Sequence, residues 1–109
     1  MKFALVAFAG AALLAAGTAH AALDNAAAEA MMKKDGCAAC HAVDKKLVGP
    51  AYVEVAAKYK GDKDAVAKLT KMVKEGGSGV WGQIPMPPNA ATPAADITDL
   101  VTWILTLKK

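Results

Sequence analysis

The run Cys37-Ala38-Ala39-Cys40-His41 constrains this chain more than any other feature of its sequence. C-x-x-C-H is the spacing of a c-type haem attachment site. Two thiols three positions apart reach the two vinyl groups on one edge of a single haem, and the adjacent imidazole then stands against the iron as its proximal ligand. Zinc is a poor fit, because a structural zinc site takes about four nitrogen or sulfur ligands. The chain has two Cys and two His, and His20 falls in a segment that reads as a removable leader. A thiol–disulfide pair would have its first cysteine activated at a helix N-terminus. That arrangement belongs to a βαβ context, and the strand patterns are missing here. A CxxC thiol–disulfide oxidoreductase therefore stays as an alternative, beside a c-type haem enzyme or gas sensor with an open iron.

Residues 1–21 read as a secretory signal peptide. Lys2 supplies the positive start, Phe3 to Gly17 the apolar stretch, and Ala19-His20-Ala21 the small-x-small cleavage pattern. Cleavage after Ala21 leaves 109 − 21 = 88 residues, a single domain over 22–109. The apolar run is shorter than the roughly 20 residues of a spanning helix, so a soluble, exported, periplasmic protein with no stable membrane insertion is expected. Both cysteines sit in the one motif, which leaves none for a structural disulfide. Without Lys2 the charge is twelve Lys against ten acids, +2, with no Arg in the chain. Nucleic-acid binding would show a stronger, Arg-bearing basic patch.

The mature part reads as helix and loop throughout, hence all-α. Asp24 or Asn25 caps a first helix over Ala26–Lys34, which Gly36 ends. Gly49-Pro50 opens a short helix from Ala51 to about Tyr59, with Pro50 in its first turn. Asp62 caps a third helix over Lys63–Glu75, stopped by Gly76-Gly77, and Val66, Leu69, Met72 and Val73 form its apolar stripe. Thr92 caps a final helix with Ile97, Leu100, Val101, Ile104 and Leu105 on one face. Between the last two helices, Gly76 to Ala91 has loop composition, and a loop of this length in so small a domain is usually functional.

With His20 removed, His41 is the only histidine, so a second imidazole ligand from the same chain is impossible. The residues leave methionine, lysine, water or an empty position opposite it. Met86 leads, because Ile84-Pro85-Met86-Pro87-Pro88 brackets it with prolines that fix φ and forbid helix. Met31, Met32 and Met72 lie on helices and read as core. A thioether is soft and neutral, so His/Met ligation raises the reduction potential. Filling both axial positions of the iron suits electron transfer and opposes chemistry at the metal.

Cys37-Ala-Ala-Cys-His41, Leu47-Val-Gly-Pro50-Ala-Tyr52, Gly79-Val-Trp81-Gly and Ile84-Pro-Met-Pro-Pro-Asn89 together resemble the small class I cytochromes c of bacterial periplasms, the short single-haem kind. The resemblance covers nearly all of the mature chain. It implies about four helices around one covalent haem c, bound through Cys37 and Cys40 with His41 and Met86 on the iron. It implies a Pro50 carbonyl accepting from His41 Nδ1–H, a Trp81 indole donating to a haem propionate, and Asn89 supporting the Met86 loop. Met72 stands where relatives often carry a basic residue facing a propionate, with Lys71 or Lys74 as substitutes. The implied role is a monomeric, non-enzymatic electron carrier. Its transient redox partners would be a quinol-oxidising complex or other donor, and nitrite reductase or a terminal oxidase. Lys33, Lys34, Lys45 and Lys46 flank the haem motif and would form a weak ring that steers an acidic partner.

A domain this small needs a staple to fold well, and a covalent haem would be one. The Cys37→Ala/Cys40→Ala variant should therefore lose cooperative far-UV circular dichroism melting; full, cooperative helicity would contradict this.

Overall fold

Asp24 begins the structured chain by accepting the Ala27 N–H on its Oδ1 at 2.7 Å, which satisfies one of the first-turn donors a helix leaves open. The computed structural model describes residues 23–109. The expected signal peptide over 1–21, its cleavage after Ala21 and His20 lie outside the described residues. From Asp24 the chain runs through α1 (Asn25–Lys34), a 3-10 turn (Cys37–Ala39), α2 (Tyr52–Lys58), α3 (Ala65–Glu75) and α4 (Ala94–Ile104). Among the described residues there is no strand, only the isolated bridges His41–Lys46 and Gly77–Met86. The fold is all-α, as expected.

Helix α4 is the hub and packs against each of the other three helices. Of its expected face, Ile97, Leu100, Val101 and Ile104 are buried, Leu105 is the C-cap and packs only half-buried against them, and Trp103 joins the buried set. The Trp103 ring meets Tyr52 of α2 edge-on at 6.3 Å, and its Nε1–H donates to Asn25 Oδ1 of α1 at 3.1 Å. Asn25 thus ties α1 to α4, while Asp24 takes the capping role that either residue was expected to fill. On α3, Leu69 is buried, and Val66 and Val73 pack half-buried against the same core.

All four helix starts differ from the expected ones, α1 by a single residue, at Asn25 rather than Ala26. Helix α2 begins at Tyr52, and Pro50 lies before its N-cap, Ala51. Its first donors are taken by the preceding loop: Tyr52 N–H donates to Ala42 O and Val53 N–H to Val43 O, each at 3.0 Å. Helix α3 begins at Ala65 rather than Lys63. Asp62 spends Oδ1 on Asp64 N–H (2.8 Å) and Oδ2 on Lys68 Nζ (2.7 Å), so its side chain shapes a turn instead of a cap. Helix α4 has Pro93 at its N-cap and no side-chain cap, so Thr92 does not serve as one.

At the α1–α4 contact, Asp35 Oδ2 is buried without a donor. Its neighbour Asp96 is itself an acceptor and is paired with Lys34 Nζ at 3.3 Å. Two carboxylates can bond only through a shared proton. Burial first, then the Asp96 charge, hold the Asp35 carboxyl above its ordinary pKa. A raised carboxyl contributes stability that is complete below the unfolded-state pKa and is lost as pH rises through the folded value. Asp62, lowered by its hydrogen bond from Lys68, acts in the opposite sense and loses its contribution as pH falls. Asp35→Asn, which supplies a donor and removes a charge, should raise stability at neutral pH by roughly 1 kcal/mol or less and flatten the fall in stability between mildly acid and neutral pH. Equal or lower stability of the variant at pH 7 in denaturant titrations would contradict this account.

Candidate functional site

His41 is held by the loop that leads into α2. Its backbone N–H donates to Cys37 O at 3.0 Å, closing the turn that carries both cysteines, and Gly49 N–H donates to Cys40 O at 2.8 Å. The ring Nδ1 lies 2.8 Å from Pro50 O. A carbonyl only accepts, so Nδ1 carries the proton and Nε2 keeps its lone pair, the form in which imidazole binds a metal. The Tyr52 ring stacks on the imidazole at 5.0 Å with 16° between planes. Gly49 fits under the ring because it has no side chain: a Cβ there would come within 2.9 Å of both Nδ1 and Nε2.

Met86 is held by the end of α3. Its N–H donates to Gly77 O at 2.7 Å and its carbonyl accepts from Gly77 N–H at 3.0 Å. Gly76, at φ +71°, is in the left-handed region, and a Cβ there would lie 2.5 Å from Met86 O and 2.7 Å from Pro88 N. Asn89 caps the helix from the far side of the loop. Its backbone N–H (3.1 Å) and its Nδ2 (3.2 Å) both donate to Val73 O, and Nδ2 also lies 3.3 Å from Pro87 O. The Val73 carbonyl, one of the last of α3 that the helix cannot satisfy internally, is thus used to hang the proline loop.

Between these two supports lies a cleft of about 490 Å³, within the roughly 300–1,000 Å³ of small-molecule and cofactor sites. Cys37, Cys40, His41, Pro50, Trp81, Met86 and Asn89, the residues singled out from the sequence, all line it. Its inner wall includes Leu69, Met72, Leu100 and Val101, so Met72 belongs to the cleft as well as to the α3 stripe. Two half-buried thiols, an imidazole with a free Nε2 and an apolar slot suit a covalently attached haem. They do not suit thiol–disulfide exchange: burial first, then the Asp35 charge, push a Cys37 thiol up, away from the reactive thiolate. Burial, and then the nearby Cys37 sulfur, push the Tyr52 phenol up too, so this hydroxyl stays neutral.

Lys46 lines the cleft. Lys34 is drawn to Asp96. Lys58, not anticipated, stands over the Trp81 ring at 5.3 Å from its centroid. Lys74 has its Nζ on Ala90 O (2.9 Å) and Thr92 O (2.8 Å), which ties its ammonium to the loop. Tyr52, Gly49, Gly76 and Lys58 were missed as site residues. Gly49 had a visible signal, a glycine directly before the proline whose carbonyl was expected to meet His41; the others act through long-range packing. Gly49→Ala should cost about 1–3 kcal/mol, the scale of forced overpacking, in denaturant unfolding of the intact protein; an unchanged midpoint would mean that the imidazole does not sit over this glycine.

A family model described as Cytochrome c matches residues 25–108. Cytochrome c-552 of Nitrosomonas europaea is 52% identical over 101 residues, 93% of this chain and 92% of that one. Cytochrome c-551 of Allochromatium vinosum is 58% identical over 77 residues, covering 71% and 82%. The crystal structure of wild-type Nitrosomonas europaea cytochrome c552 superposes with a TM-score of 0.71 at 52% identity, over 73% of this chain and 99% of that one. With this agreement laid over a cleft that gathers both thiols, the imidazole and the proline-bracketed methionine, the chain belongs to the class I cytochromes c, electron carriers with a covalent haem c, held here by Cys37 and Cys40.

Proposed function

We propose that this cytochrome c is a monomeric periplasmic shuttle whose haem iron is held by His41 Nε2 and by the Met86 sulfur. It takes single electrons from a quinol-oxidising complex or other donor and passes them to nitrite reductase or a terminal oxidase. The observation that carries the reading is the convergence of His41 and Met86, far apart in sequence, on one cleft, each fixed by its own backbone hydrogen bonds. When bound, haem supplies a one-electron iron couple. The chain's own residues do the rest. Pro50 O keeps the proton on Nδ1 and the lone pair on Nε2. The prolines and the Gly77 pairing present the Met86 thioether without a helix to carry it. Asn89 holds the loop on α3, and Trp81, which lines the cleft, would donate its indole N–H to a propionate. With His41 and Met86 both bound, the iron would have no open position for a substrate, which suits a carrier rather than an enzyme. Residues 1–21 serve as the export signal, cleaved after Ala21, which delivers the thiols to the compartment where haem is attached.

The cleft mouth also suits brief docking. Val48, Val80, Trp81 and Ile84 gather at the cleft, where a bound haem would cover part of their apolar surface and leave the rest at its edge. Exposed apolar side chains gathered at one place mark an interaction surface. Lys46 in the cleft wall and Lys58 over Trp81 add positive charge beside it. A partner with a matching apolar patch and acidic rim would be steered there without binding tightly.

Two measurements test the proposal. The oxidised holoprotein should show a methionine–iron charge-transfer band that Met86→Ala abolishes, with a lower reduction potential in the variant, inside the ~0.8 V that axial ligands span. Survival of the band in the variant would move the ligand elsewhere, and tight carbon monoxide binding by the native protein would favour an open-iron enzyme or gas sensor. Electron-transfer rates with an acidic partner should fall as ionic strength rises; a flat response would remove the lysine steering.

A further inference from the structure

We infer that Lys74 is a positioning residue for the Met86 sulfur, clamping the return limb of the loop onto the end of α3. The inference rests on Met86 as the iron ligand. Prolines at 85, 87 and 88 leave the segment Ile84–Asn89 with backbone N–H groups only at Ile84, Met86 and Asn89. The segment therefore cannot stitch itself into a regular turn and depends on donors from α3 and its C-terminal glycines. Gly77 holds the Met86 peptide from one side, and Asn89 reaches Val73 O from the other. Beyond Asn89 the chain must still turn into α4, whose N-cap is Pro93, a residue with no N–H to give. There the half-buried Lys74 supplies the donors, with Nζ 2.9 Å from Ala90 O and 2.8 Å from Thr92 O.

Three features make this clamp more than a surface contact. The donor is charged, and charge-assisted hydrogen bonds are about twice as strong as neutral ones. Its charge sits in the last turn of α3, where the helix dipole favours it. Pro87 and Pro88 stiffen the path between the clamped residues and Met86, so slack at 90–92 is transmitted to the sulfur instead of being absorbed on the way. Loss of the clamp should raise the population in which the loop lifts and the sulfur leaves the iron. Lys71, exposed on the same helix, makes no such contact and serves as the control.

The test uses the ferric holoprotein and added imidazole, which replaces the sulfur and bleaches the charge-transfer band. In stopped flow, Lys74→Gln and Lys74→Met should accelerate the replacement at least about tenfold, the scale of losing charge-assisted bonds to two carbonyls. Complete loss of the band with helicity retained is the same result at its extreme. Lys74→Arg, which keeps charge and donors, should restore most of the native rate, and Lys71→Gln should not change it. A purely structural role would lower the melting temperature and leave the replacement rate alone. A Lys74→Gln rate within about twofold of native, beside a Met86→Ala variant that has lost the band, overturns the Lys74 inference only. A band that survives Met86→Ala overturns the ligand assignment and the Lys74 inference with it.

Discussion

The proton on His41 Nδ1 decides which nitrogen faces the cleft, and the 2.8 Å contact with Pro50 O decides where that proton sits. Much of the fold serves this one hydrogen bond. Gly49 clears the space beneath the ring. The first donors of α2 are spent on Ala42 and Val43, which fixes the helix start against the loop carrying the imidazole. Tyr52 stacks on the ring and meets Trp103 edge-on, and Trp103 reaches Asn25. The orientation of one imidazole is thereby coupled to the packing of α1, α2 and α4, so a change at the site propagates into the core and the reverse.

The methionine side is built on another principle. No helix or strand carries Met86, and the prolines around it have removed most of the donors a turn would use. Rigidity comes from fixed φ angles, and attachment comes from groups that α3 has left over: the Val73 carbonyl, the paired Gly77 peptide and the Lys74 ammonium. In the proposed carrier this matters, because a sulfur held in place through both oxidation states demands little rearrangement when an electron arrives or leaves.

Much of this was legible in the sequence, for identifiable reasons. The 3.6-residue periodicity of Ile97, Leu100, Val101 and Ile104 survives in the structure because α4 packs on three neighbours and needs one continuous apolar face. The seven residues chosen from motifs share one cleft because each motif lies on a segment with few conformational choices. Helix starts were less legible. Asp62 and Thr92 look like caps, yet Asp62 is captured by its own turn, and Pro93 takes the N-cap position next to Thr92. The lysines were least legible. Nothing local says that Lys34 will face Asp96, that Lys58 will lie over Trp81, or that Lys74 will serve the loop, because each partner arrives only when distant segments pack.

Iron K-edge X-ray absorption on the holoprotein, oxidised and then reduced, tests the central claim most directly, since it counts the atoms around the metal without relying on a variant. The account predicts one sulfur and five nitrogen neighbours in both states, with little change in distance between them. A shell of nitrogen and oxygen only, or a sulfur present in one state and missing in the other, would contradict it.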